Sequence, residues 1–271
     1  MSQSSFADGA DAVRRARASG TVRALARAGY VASGVLHLLV AWLAAQIALG
    51  RPAGEADESG AFRTLARAPG GDVLLWAVAV GFAALALWQL ATALLGAPTV
   101  RNQVGARTKS VAKAVLYGAL ATSGARIAQG AGGSGSSEES LTARVLAVPG
   151  GVLLVGAVGL AIVGVGAYHV VKGARKTFLR DLVGTGGSAV APVVVRLGQT
   201  GYVAKGIALG VVGALVVAAA VTTDPEQAGG LDEALRTLRD QPFGPVLLLV
   251  TAVGIAAYGG YSFARARLAR L

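Results

Sequence analysis

Pro149 to Val171 reads PGGVLLVGAVGLAIVGVGAYHVV, and from Gly151 onward it contains no Asp, Glu, Lys or Arg. A helix rises about 1.5 Å per residue, so about 20 such residues cross the roughly 30 Å hydrocarbon core of a bilayer. A strand reading fails because apolar and polar residues do not alternate. In lipid a helix also satisfies its own backbone, which an open strand does not. The stretch therefore sets the fold class, an all-α integral membrane protein.

Working outward, five more stretches share this character: Gly29–Leu49, Val73–Leu95, Val111–Ala128, Gly201–Val221 and Gly244–Phe263. Six transmembrane helices are expected. The 271 residues are 54% hydrophobic and only 14% charged, with a mean hydropathy of +0.60. Soluble domains carry about 25% charged residues, and disorder requires low hydrophobicity, so both classes are excluded. The chain has no cysteine, which removes disulfides, thiolate metal sites and cysteine nucleophiles. Its 39 glycines against 6% aromatics suit close helix packing in lipid.

The net charge of +11 is spread between the spans. One set of connections, with both termini, holds 18 of the 25 basic residues but only Asp8, Asp11 and Asp181 among the 14 acids. Lys and Arg mark the cytoplasmic side, so both termini are expected there, as an even number of spans requires. This distribution reads as a topology signal rather than a nucleic-acid patch. The first span is expected to be retained. Ala44-Ala45-Gln46 looks like a small-residue cleavage site, but the basic lead-in is long for a signal peptide and the span belongs to a repeat.

A shift of 80 residues puts Pro69-Gly70-Gly71 on Pro149-Gly150-Gly151, Val35-Leu36 on Val115-Leu116, and Trp88-Gln89 on Tyr168-His169. A further 92 or 93 places Lys113 on Lys205, Pro149 on Pro242, and Tyr168 on Tyr261. The first and third copies also share Gly-Tyr-Val-Ala (Gly29–Ala32, Gly201–Ala204) and Arg-Thr-Leu (Arg63–Leu65, Arg236–Leu238). Repeated landmarks at one offset mark tandem units. Each unit is a span, an outer segment, a Pro-Gly or Pro-Phe-Gly turn and a second span. Two spans per unit make the copies parallel, and a pseudo-threefold bundle or a row of hairpins is expected. The expected division is a basic cytoplasmic segment at 1–25, repeats at 26–97, 98–180 and 196–271, and a cytoplasmic linker at 181–195.

The outer segments read as short amphipathic helices. Leu231, Ala234, Leu235 and Leu238 recur at helical spacing among Asp232, Glu233, Arg236 and Arg239. Phe62 and Leu65, and Leu141 and Val145, take comparable positions, and Ser136 with Glu139 forms a capping box. Each helix is expected to stop before its proline.

The architecture resembles the domain of unknown function 1206 family. The matching residues are Gly-Tyr-x-Ala-x-Gly (Gly29–Gly34, Gly201–Gly206), Leu-Arg-Thr-Leu (Leu235–Leu238) and Gln241-Pro242-Phe243-Gly244, with the aromatic near the end of each second span. The middle copy departs most, having Lys109-Ser110-Val111 where the others have Gly-Tyr-Val. The resemblance implies six membrane helices, chiefly in actinobacteria, and no established activity or catalytic residues.

Few residues in the spans carry chemistry. His37 lies about two turns into the first span. An ionisable group there is a functional candidate, although its repeat counterparts Tyr117 and Leu209 suit a packing tier. His169 is read as an interfacial anchor beside Lys172. The two histidines at unequal depths lack the motif residues of an axial haem pair, so no cofactor is expected. Lys113 and Lys205 either snorkel to the interface or form a basic ring at an inner mouth. Arg126 is placed to pair with Glu138 or Glu139. Trp88, Tyr168 and Tyr261 read as an interfacial aromatic belt.

No Ser-His-Asp, paired-carboxylate or metal-ligand pattern occurs, and no enzymatic activity is expected. The leading reading is a scaffold, accessory subunit or lipid-associated module. The alternative is a small-solute or ion transporter with a pathway along the threefold axis. Expected partners are membrane lipids, with anionic lipid at the cytoplasmic face, and another membrane protein, but no nucleic acid. The expected location is the bacterial plasma membrane.

Overall fold

The computed structural model describes residues 20–95, 103–130, 137–184, 191–228 and 230–269. Among these the chain forms nine α-helices and two short 3-10 helices, and no strand beyond an isolated bridge between Leu182 and Ala269. The helices are α1 (Gly20–Ala48), α2 (Glu58–Ala66), α3 (Gly71–Leu95), α4 (Gln103–Ala128), α5 (Ser137–Leu146), α6 (Gly151–Ala174), α7 (Ala191–Thr222), α8 (Gly230–Arg239) and α9 (Gly244–Leu268). The 3-10 helices are Thr177–Asp181 and Pro225–Ala228.

Five stretches are long and apolar enough to cross a membrane: Arg27–Ala48, Gly71–Leu94, Gly151–Ala174, Ala191–Thr222 and Gly244–Leu268. The sixth expected span also forms a helix, α4, of 26 residues. Lys109, Lys113 and Arg126 make it less apolar than the rest. Outward-facing side chains on the apolar helices are large and hydrophobic, including Val73, Leu87, Leu153, Leu160, Val250 and Val253. Such a surface is unfavourable in water and suits hydrocarbon.

The repeat is visible in its turns. The three short helices α2, α5 and α8 end before Pro69, Pro149 and Pro242, since proline cannot continue the hydrogen-bond ladder. The next residue is left-handed in each copy: Gly70 (φ 70°), Gly150 (φ 80°) and Phe243 (φ 60°). The residue after it is always glycine. A Cβ on Gly71, Gly151 or Gly244 would overlap the carbonyl oxygen of Leu65, Val145 or Arg239, so the turn closes only without a side chain. The capping box at Ser136 and Glu139, and the Leu141 side chain, fall outside the described residues.

The chain divides into two compact units whose boundaries do not follow the repeats. One holds α1 as far as Ala32 with α3 and α4. There Gly29 abuts the Leu85 side chain, and Phe82 of α3 stacks on Tyr117 of α4 with ring centroids 6.0 Å apart. Buried Ser110, Ala114 and Ala121 form the small-residue stripe of α4.

The other unit holds α1 from Ser33, nearly all of α2, and everything from α5 onward among the described residues. Helices α6 and α7 meet through glycines. A Cβ on Gly166 would lie 2.7 Å from the Gly206 oxygen, and one on Gly213 would lie 2.7 Å from the Val163 nitrogen. Phe62, Ala234 and Leu235 are buried on the amphipathic faces of α2 and α8. Asp232 ties these segments together, accepting from the buried Ala56 N–H at 2.7 Å and from Arg236 at 2.7 Å.

Candidate functional site

Glycine contacts position the polar residues of the second unit. A Cβ on Gly34 would lie 3.1 Å from the Gly259 oxygen and 2.9 Å from the Phe263 ring, so α1 and α9 cross there. One on Gly201 would lie 2.5 Å from Tyr258 Cα, so α7 also meets α9. One turn beyond each crossing stand His37 and Lys205, which this geometry brings together against Tyr258.

His37 Nδ1 is 2.7 Å from the Ser33 carbonyl oxygen, one turn earlier on α1. A carbonyl only accepts, so Nδ1 carries the hydrogen and Nε2 presents its lone pair. That lone pair accepts from Lys205 Nζ at 2.9 Å. The Lys205 ammonium also stands 4.5 Å from the centroid of Tyr258, and His37 packs 4.7 Å from the same ring. Tyr258 is buried, and His37 and Lys205 are partly buried.

A second cation lies alongside. Lys172 of α6 pairs with Asp181 at 2.6 Å and stands 5.0 Å from the Tyr202 ring. Asp181 is delivered by the 3-10 helix Thr177–Asp181, which Phe178 anchors. Phe178 is fully buried, stacks on Tyr202 at 5.4 Å and meets Tyr261 edge-on at 5.2 Å. Gly198 leaves it room, since a Cβ there would strike the Phe178 ring. The Val183 N–H bonds the Leu268 oxygen at 2.8 Å and fixes this segment to the end of α9. His169 Nδ1 bonds the Val165 carbonyl at 2.8 Å, and its ring stacks on Tyr202 at 5.7 Å.

The charge balance is uneven. Asp181 is committed to Lys172. Lys205 contacts a neutral imidazole and an aromatic face, and among the described residues no carboxylate pairs with it. A lysine at the centre of a membrane helix costs about 2.5–3.5 kcal/mol. A cation–π contact returns about 0.5–2 kcal/mol and a charged hydrogen bond about 1.5–3 kcal/mol. These contacts offset the cost of placing the ammonium, but they leave its charge uncompensated.

Of the five residues singled out in the sequence, His37, Lys205 and His169 thus join one aromatic cluster. Lys113 is exposed on α4 and Arg126 is exposed in its last turn, both in the other unit. The Glu138 and Glu139 side chains, read as Arg126 partners, fall outside the described residues. Tyr261 corrects the aromatic-belt reading. It is fully buried and its hydroxyl donates to the Phe178 oxygen at 3.5 Å, so it braces the cluster. Tyr168 is exposed, as a belt residue is. Sequence reasoning also missed Tyr202, Tyr258, Phe178, Lys172 and Asp181 as parts of one site. A usable signal was present in the tyrosine–lysine spacings, Tyr202 to Lys205 and Tyr168 to Lys172, which share a helix face.

The comparisons with known proteins agree with the repeat. The family model described as Domain of Unknown Function (DUF1206) matches residues 28–96, 108–176 and 200–269. The chain belongs to this family. The starts of the matches are offset by 80 and 92 residues, the spacings read from the sequence landmarks. This DUF1206 chain is also similar to the uncharacterized protein YxxB of Bacillus subtilis (strain 168), at 30% identity over 246 residues, covering 89% of each chain. No solved structure matches it.

Proposed function

We propose that this DUF1206 protein is a non-enzymatic, multi-pass module of the bacterial plasma membrane that associates with anionic lipid at its cytoplasmic face. In this reading α4 crosses as a sixth span, its lysines at the inner boundary and Arg126 at the outer one. All three hairpins then enter in the same sense, both termini are cytoplasmic, and a pseudo-threefold bundle is the natural closed arrangement.

One observation carries the lipid association. At the ends of the helices opposite the Pro-Gly turns, Arg107, Lys109, Lys113, Arg175, Lys176, Arg180, Arg196 and Arg267 are exposed. The acid described among them, Asp181, is held by Lys172. Each such cation near an anionic leaflet contributes about 1 kcal/mol of attraction. The non-enzymatic part is supported by the glycine- and alanine-lined helix contacts, and no metal-holding group of His, Cys, Asp and Glu occurs among the described residues.

The test is the lipid that surrounds the purified full chain in nanodiscs made from equal parts phosphatidylglycerol and phosphatidylcholine. Enrichment of phosphatidylglycerol in the lipid retained on transfer to mild detergent is expected. Equal retention of both lipids, or solute flux through proteoliposomes carrying the chain, would overturn the reading.

A further inference from the structure

We propose that Lys205, oriented by His37 and backed by Tyr258, is a site for one phosphate group, held between α1, α7 and α9. The inference rests on the lipid-associated reading above and gives that reading a residue-level site.

An ammonium has three donors and no acceptor. One donates to His37 Nε2 at 2.9 Å, and Tyr258 covers another flank at 4.5 Å. Among the described residues no acceptor takes the remaining hydrogens. His37 is committed through Nδ1 to Ser33, so it serves as a positioning residue that aims the ammonium. The neighbouring cation, Lys172, has its carboxylate in Asp181. The two lysines of the cluster therefore differ: Lys172 has a carboxylate partner, and Lys205 has none among the described residues.

Depth selects the ligand. His37 lies about two turns inside the boundary at the basic end, and the Lys205 ammonium, 2.9 Å from it, stands at the same level. On α1 and α7 side chains lean toward the helix N-terminus, the basic end in the reading above, where lipid phosphate is the common anion. Lysine binds phosphate as a point charge and imposes no bidentate geometry.

The experiment measures thermal unfolding of the full chain in neutral detergent with increasing short-chain phosphatidylglycerol, short-chain phosphatidylcholine, or inorganic phosphate. The melting temperature is expected to rise with phosphatidylglycerol and not with phosphatidylcholine. Lys205→Gln should weaken that response about tenfold or more, the loss of one charged contact. Lys205→Arg should largely keep it, and so should Arg67→Gln, which removes an exposed charge beside the first Pro-Gly turn, outside both the cluster and the basic set. A matching response to inorganic phosphate assigns the site to free phosphate; no response to it assigns the site to the lipid. If Lys205→Gln fails to fold, His37→Gln decides, because it retains the charge but loses the ring that aims it, and should weaken binding severalfold.

Unchanged binding in Lys205→Gln, or in His37→Gln where that variant is the one measured, overturns the proposal. If phosphatidylglycerol remains enriched in the nanodiscs at the same time, general lipid association stands and only this site fails. If the enrichment is lost as well, both readings fail.

Discussion

Gly166→Ala probes the seam between α6 and α7. A Cβ at this position would lie 2.7 Å from the Gly206 oxygen and 2.9 Å from the Gly210 nitrogen. Ordinary contacts begin at 3.4 Å, so the helices must separate by about 0.7 Å to admit one methyl group. Both close neighbours are backbone atoms, and no side chain can rotate away. Overpacking of this kind costs about 1–3 kcal/mol, and parting the helices also weakens Cα–H···O contacts worth about 0.5–1 kcal/mol each. A total near 2–3 kcal/mol follows. Gly164 provides the control two residues away, because a Cβ there meets nothing within 4 Å. Alanine at that position gains up to about 1 kcal/mol of helix propensity. The two variants should therefore differ by about 3 kcal/mol in reversible unfolding by sodium dodecyl sulfate in mixed micelles, followed by far-ultraviolet circular dichroism. Stabilities within about 0.5 kcal/mol of each other, or Gly164→Ala as the costlier change, would refute glycine-seam packing.

Two further substitutions test other joints by the same assay. In the second turn, Gly150→Ala should cost about 1 kcal/mol for a left-handed residue, whereas Gly151→Ala, whose Cβ meets the Val145 carbonyl, should cost about 3 kcal/mol or more. Equal effects would show that the collision is relieved cheaply. Asp232→Ala should destabilise by about 1–3 kcal/mol, because the buried Ala56 N–H loses its acceptor. Asp232→Asn keeps an oxygen there and should cost less, and the reverse order would contradict the assigned bond.

The parts legible in the sequence were those written in local pattern. Charge-free runs such as Gly151–Val171 locate helices because length and apolarity alone decide them. The Pro-Gly-Gly turns were visible through repetition, and their reason is steric, a property of the turn itself. Basic residues extended the helices beyond the apolar runs. The sequence span Gly201–Val221 becomes Ala191–Thr222 in the structure, since a helix continues past hydrocarbon wherever its residues tolerate it.

The candidate site was harder to see because its contacts join distant repeats. Repeat alignment sets His37 beside Leu209 and Lys205 beside Ser33. The structure instead pairs His37 with Lys205 across 168 residues, a contact that depends on where Gly34 and Gly201 let three helices cross. Tyr261 was misread for a related reason. A tyrosine near a span end suits an interface equally well as a buried brace, and only Phe178, inserted by the connecting 3-10 helix, decides between them.

The central claim is that three homologous hairpins cross the bilayer in one direction, and α4 is its critical member. The chain has no native cysteine, so single cysteines at Gly54, Arg107, Ala147, Arg175 and Thr223, all exposed, can be probed in spheroplasts with a membrane-impermeant maleimide. The account predicts labelling of positions 54, 147 and 223 from outside, and of 107 and 175 only after permeabilisation. Positions 107 and 147 reacting from the same side would mean that α4 does not cross, and the parallel-hairpin architecture would be wrong.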